Sequence, residues 1–282
     1  PLIVRGHGDW QNHVLAQSQG DKDSLAVSPQ LIERREFKYL ISPLVAARVR
    51  EAIKPFCILD PFAARQPTGN YTIRSLYLDT PDFALHRANE QEIRNRFKLR
   101  VRSYPGVEGS AVYFEVKRRF LDVIVKERGQ APSDWGAILE GEPGADELKT
   151  PACHSFVSLV RSHGCRPTVM VEYEREPHVS TIDDYARVTF DSGIRCQPAL
   201  GTTLNVEEER WRNVDGREDF HDSRDLLVLE LKFTERVPTW LVNIVRRLEL
   251  DRRAFSKYGR SIEAWSQTPL IERVSRFGRR GA

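Results

Sequence analysis

The stretch Arg96–Tyr104, RFKLRVRSY, decides how the rest of the chain is read. Arg96, Lys98, Arg100 and Arg102 take every second position, and Phe97, Leu99 and Val101 fill the places between. A period of two is the β-strand's, whose successive side chains point to opposite faces. One face carries four cations and no acid, and the other is apolar. Like charges aligned on one strand repel. The row alone therefore predicts that deleting one arginine raises the melting temperature of the empty protein, and it calls for an anionic partner.

The same alternation recurs on both sides of that stretch. LIERREFKYLI (31–41) sets Arg34, Glu36 and Lys38 on one face. AVYFEVKRR (111–119) sets Glu115 and Lys117 against Val112, Phe114 and Val116, and VIVKER (123–128) adds Lys126 and Arg128. YTIRSLYLDT (71–80), TVMVEYERE (168–176), YARVTFDSGI (185–194) and LLVLELKF (226–233) are further strands, the last two bringing Arg187, Asp191, Glu230 and Lys232. Helices are fewer. SPLVAARVREAI opens with Ser42 as N-cap and Pro43 at the first helical position, TPDFALHRA, a block at about 134–163 and TWLVNIVRRLEL follow, and the segment SKYGRSIEAW precedes the tail. About eight strands joined mostly by hairpins predict a mainly β (α+β) domain over 31–267, between an irregular leader (1–30) and a basic tail (268–282). The expected architecture is a closed eight-stranded antiparallel barrel with flanking helices.

Net charge is only +3 over 282 residues, so the positive field is local rather than global. No apolar run approaches the ~20 residues of a membrane span, and PLIVRGHGDWQNH lacks a secretory hydrophobic region, which predicts a cytoplasmic location. Four cysteines in a chain of this length suggest no disulfide framework. CHSFVSLVRSHGC holds Cys153, His154, His163 and Cys165, but helical spacing turns Cys153 and His163 apart, against a zinc site.

Closure would turn the charged faces into a lumen. An ordinary solvated sheet face also carries charge, but it predicts mixed acids, amines and hydroxyls. A clean run of four cations and the repeated Glu-x-Lys of REFKY, YFEVK and LELKF favour a functional surface. A chain of phosphates would offset the repulsion through charge-assisted bonds, with the few carboxylates holding a hard divalent cation. A nucleic-acid groove interleaves aromatics with its cations, whereas Phe37, Phe97 and Phe114 lie on the opposite face, so no nucleic-acid partner is expected.

In chain order, RREFKYLI, SLYLDT, RFKLRVRSY, FEVKRR, VKER, VEYER, RVTFD, LELKF and SKYG resemble the vacuolar transporter chaperone (VTC) catalytic domain, over roughly residues 32–265. That domain is the polyphosphate polymerase branch of the triphosphate tunnel metalloenzymes. The resemblance implies an eight-stranded tunnel barrel that moves the γ-phosphate of ATP onto a growing polyphosphate chain and releases ADP. It implies that Lys38, Arg100, Arg102, Lys117, Lys126, Arg128, Arg175, Arg187 and Lys257 grip the triphosphate and the product. Tyr173 and Ser256 would add polar contacts, and Glu230 would hold Mn²⁺ or Mg²⁺. Glu36, Arg96, Lys98 and Lys232 join the substrate-binding face by alternation.

The wider superfamily opens with Glu-x-Glu-x-Lys, whereas here Arg34 takes the first position, which tilts the resemblance toward transfer rather than hydrolysis. A tunnel-type triphosphatase, a polyphosphate sensor and a basic β-module remain as alternatives. Eukaryotic relatives join this domain to membrane helices, so a membrane-protein partner, holding the chain at the inner face of a membrane, is compatible with the family.

Overall fold

The computed structural model describes residues 35–120, 123–142, 148–183, 185–215, 226–234, 236–253 and 255–266. The expected leader, the basic tail and Arg34 lie outside the described residues. The strands are β1 (Arg35–Ile41), β2 (Cys57–Leu59), β3 (Tyr71–Asp79), β4 (Asn95–Ser103), β5 (Tyr113–Phe120), β6 (Val123–Gln130), β7 (Arg166–Ser180), β8 (Ala186–Pro198), β9 (Arg212–Asn213) and β10 (Leu227–Phe233). They form one antiparallel sheet in the order β1-β10-β8-β7-β3-β4-β5-β6, with β2 added to β7 and β9 to β8.

Alternation sorts the residues of each strand between two surroundings. Helix α1 (Pro43–Ile53) has the expected cap, Ser42 Oγ accepting the Val45 N–H, and Pro43 at its first turn. With α5 (Thr239–Arg247) it covers β1, β10 and β8, burying Val49, Ile53, Trp240 and Leu241 against Phe190, Leu229 and Phe233. Helices α3 (Trp135–Glu140) and α4 (Pro151–His163) cover β3, β4 and β5 in the same way, with Phe114 stacked on Phe156 at 4.4 Å. Each such side chain contributes about 1.5–3 kcal/mol by leaving water. The apolar halves of the strands are thereby used up, and the charged halves are left to the concave side. Short α2 (Ala84–Glu90) follows β3, and α6 (Lys257–Ser266) enters the concave side, where Tyr258 and Ile262 meet Ile73, Val171 and Ile194. Among the described residues no helix is long and apolar enough to cross a membrane.

The helix layer sits close on the sheet at Gly129 of β6. A Cβ there would collide with Thr150 Oγ1 and Cys153 Sγ at the N-terminus of α4, and Thr150 caps that helix by accepting the Cys153 N–H. Gly129→Ala should therefore destabilise by about 1–3 kcal/mol, as overpacking of a filled core does, read as a drop in the urea midpoint.

The barrel departs from the expected closed, eight-stranded form. The sheet has ten strands, and among the described residues no ladder joins β6 to β1. The outer edge of β1 is already occupied: Tyr39 forms a bridge with Arg252, and the Arg253 N–H donates to Lys38 O at 3.1 Å. Residues 252–253 thus take hydrogen bonds that a closing strand would need. The sheet nevertheless curls far enough for Lys117 of β5 to reach Glu36 of β1, six ladders away along the path, at 3.2 Å.

Candidate functional site

Three strand registers bring the acids and cations into contact. On β1 and β10, Glu36 lies opposite Lys232 and Lys38 opposite Glu230. On β4 and β5, Arg100 lies opposite Glu115 and Lys98 opposite Lys117. On β5 and β6, Glu115 lies opposite Arg128 and Lys117 opposite Lys126. Each register sets cations beside an acid that stands elsewhere in the sequence.

Glu230 is one hub. Its carboxylate accepts from Lys232 at 2.6 Å, Arg175 at 3.1 Å and Lys257 at 3.2 Å, with Lys38 at 3.8 Å. Asp191 extends it, accepting both arms of Arg175 at 2.7 Å and Lys257 at 2.5 Å. Burial acts to raise the Glu230 pKa but is outweighed by Lys232, Lys257, Arg175 and Lys38, which hold it well below the usual carboxylate range. Burial works against the charge on Arg175 as well, and Asp191 and Tyr173 more than reverse it.

Glu115 is the second hub, with only 1 % of its surface exposed. Arg100 reaches it at 2.5 Å and Lys126 at 2.7 Å, and Arg102 and Arg128 stand at 3.7 Å. Arg102 also donates to Ser75 Oγ and to the Tyr173 hydroxyl, and Arg100 to the Tyr77 hydroxyl. Glu36 makes a third, smaller centre with Lys38 and Lys117, both at 3.2 Å. The start of α6, which carries Ser256 and Lys257, is fixed from β3. Asp79 accepts the Tyr258 hydroxyl at 2.5 Å together with the Leu85 and His86 N–H groups at 2.9 Å.

Most of the residues expected at the site therefore lie on one concave face: Glu36, Lys38, Lys98, Arg100, Arg102, Lys117, Lys126, Arg128, Tyr173, Arg175, Glu230, Lys232, Ser256 and Lys257. Two stand apart. Arg187 is 47 % exposed at the end of β8, where it approaches Asp60 at 3.9 Å and the Tyr185 ring. Arg96, at the start of β4, donates to Ile93 O at 2.6 Å on the exposed rim. Sequence reading did not name Glu115, Asp191, Asp79 or Tyr258 as individual site residues. Glu115 and Asp191 were visible as acids on charged faces, and Asp79 and Tyr258 lie inside SLYLDT and SKYG, but their partners come from distant strands.

Glu230, the residue expected to hold a divalent metal, is surrounded by cations in this arrangement. Its oxygens, and those of Asp191, Glu36 and Glu115, are already engaged by ammonium and guanidinium groups. Among the described residues no three His, Cys, Asp or Glu side chains gather to hold a metal ion. What the face can do chemically is bind a multiply charged anion with donors already aimed and held in place.

Among solved structures, a candidate adenylate cyclase of Bacillus halodurans is 12% identical, with 80% of this chain and 94% of that one aligned and a TM-score of 0.44. The PH1819 protein of Pyrococcus horikoshii is likewise 12% identical, over 82% of this chain and 99% of that one, with a TM-score of 0.44. No curated protein matches. The VTC domain family model matches residues 33–266, the span that holds every described strand and both carboxylate hubs. The chain belongs to the VTC domain family.

Proposed function

We propose that the protein is a polyphosphate polymerase, transferring the γ-phosphate of ATP to the end of an inorganic polyphosphate chain and releasing ADP. The carrying observation is the convergence of Lys38, Arg100, Arg102, Lys117, Lys126, Arg128, Arg175 and Lys257 on one concave face, braced by Glu230, Asp191 and Glu115. A terminal phosphate oxygen of the acceptor chain forms the new bond to the γ-phosphorus as the bond to the β–γ bridging oxygen breaks, and ADP takes the electron pair. That reaction needs positioning and charge neutralisation more than a covalent or basic group. An anionic acceptor needs no base, and the histidine on β7, His178, pairs with Glu176 and packs against Phe190, on the face opposite Arg175. Any divalent ion enters as part of the substrate, chelated by ATP phosphates.

Arg100 and Arg102 offer forked donors to phosphate oxygens, and Arg175 and Lys257, tied to Asp191, are fixed before substrate arrives. Lys126 and Arg128 extend the cationic wall across β6, and Ser256 and Tyr173 add hydroxyl donors. Incubation with ATP and Mn²⁺, followed by ³¹P NMR, is expected to show mid-chain phosphate signals together with ADP. Orthophosphate as the sole phosphate product would replace this reading with a triphosphatase.

A further inference from the structure

Among the described residues Lys98 stands beside cations on the concave face with no carboxylate of its own. In register its neighbour on β5 is Lys117, and beyond Lys117 on β6 stands Lys126. Arg96 and Arg100 flank it along β4, and Lys38 faces it from β1. The acids of the face are engaged by other groups: Glu36 by Lys38 and Lys117, Glu115 by Arg100 and Lys126, Glu230 by Lys232 and Arg175. Among the described residues no carboxylate lies within ion-pair distance of Lys98, and its hydrogen-bond partner is Ser256 Oγ, at 3.0 Å from the start of α6.

Ser256 Oγ accepts the Gly259 N–H at 3.0 Å. The same oxygen accepts from Lys98 Nζ at 3.0 Å, so a neutral hydroxyl, and no carboxylate, is what the amine meets at the start of α6. Burial, followed by the charges of Lys38, Lys117, Arg96 and Arg100, holds this amine well below the ordinary lysine range. Burial and like charge both disfavour the protonated form.

We propose that Lys98 is a proton-loaded receptor for the oligophosphate: uncharged while the tunnel is empty, it takes up a proton as the polyanion enters and then grips a phosphate oxygen as an ammonium. This rests on the concave face being a phosphate-binding tunnel. The step balances, one amine and one solvent proton giving one ammonium, and departure of the product returns the proton. The device removes one repelling charge from the empty face and adds one gripping charge to the occupied face. Between the amine's pKa in the empty tunnel and its higher pKa in the occupied one, binding consumes a proton. Affinity then falls as pH rises, by up to about tenfold per unit.

The test is calorimetry of inorganic tripolyphosphate binding to metal-free protein at pH 8, in two buffers of different ionisation enthalpy. The wild-type protein should take up about one proton more than Lys98→Met. Lys98→Arg, whose guanidinium stays charged, should bind without that extra proton. Lys98→Met should melt no lower than the wild type when empty, so a folding defect does not enter. Equal proton counts in the wild type and Lys98→Met would overturn the proposal while leaving the tunnel reading standing. A wild-type protein that binds no tripolyphosphate would take both down.

Discussion

Arg100→Ala and Arg102→Ala should each weaken tripolyphosphate binding about ten- to hundredfold. An arginine that meets phosphate with a forked pair of donors supplies about 1.5–3 kcal/mol, at ~1.4 kcal/mol per tenfold. Lysine at either position should restore only part, because it lacks the planar fork. Stability should move against the expectation drawn from the row of cations. Arg100 is held by Glu115 at 2.5 Å, and Arg102 by Ser75, Tyr173 and Glu115. Deleting Arg100 takes a partner from a carboxylate that is 1 % exposed, so the empty variant should melt lower, not higher. Calorimetry with tripolyphosphate and a ligand-free melt check the two halves, and unchanged affinity in both variants would return the face to an ordinary solvated sheet.

The largest effect on stability is expected at Glu115. Glu115→Gln keeps the shape and removes the charge that Arg100, Lys126, Arg102 and Arg128 share. Leaving such a cluster uncompensated costs about 3–5 kcal/mol, which is a fall in melting temperature on the order of 10 °C for a domain of this size. Tripolyphosphate should restore part of the loss, because its charge takes the place of the carboxylate. A variant that melts within about 2 °C of the wild type would show that Glu115 is not the hub. The acid range follows with the sign worked out. Burial raises the Glu115 pKa and is outweighed by Arg100, Arg102 and Lys126, so the folded value lies well below the ordinary one. The stabilisation is present above the ordinary glutamate pKa and is lost only as pH falls through the lower folded value.

Alternation in the sequence carried much of the architecture. The strand stretches around Lys38, Arg100, Lys117 and Glu230, and the capped helix at Ser42, all formed. A period of two assigns side chains to faces through local geometry alone, and a run such as FKLRV has one way to bury its apolar half. Closure was not legible in the same way. Whether an edge strand is free depends on what reaches it, and here residues 252–253, more than two hundred positions after β1 begins, took the edge.

The sequence by itself determined which residues face the concave side and that most of them are cations. Only the tertiary structure decided which of those cations are compensated. Arg100 and Lys98 lie two residues apart on one strand and look alike in RFKLRVRSY. The β4–β5 register sets Glu115 against Arg100 and Lys117 against Lys98, and α6 arrives with a serine hydroxyl rather than an acid. The physical reason is range. Side-chain direction is set within a residue or two of backbone, whereas charge state is set by whatever lies within a few ångströms in space, and those neighbours come from β1, β5 and α6.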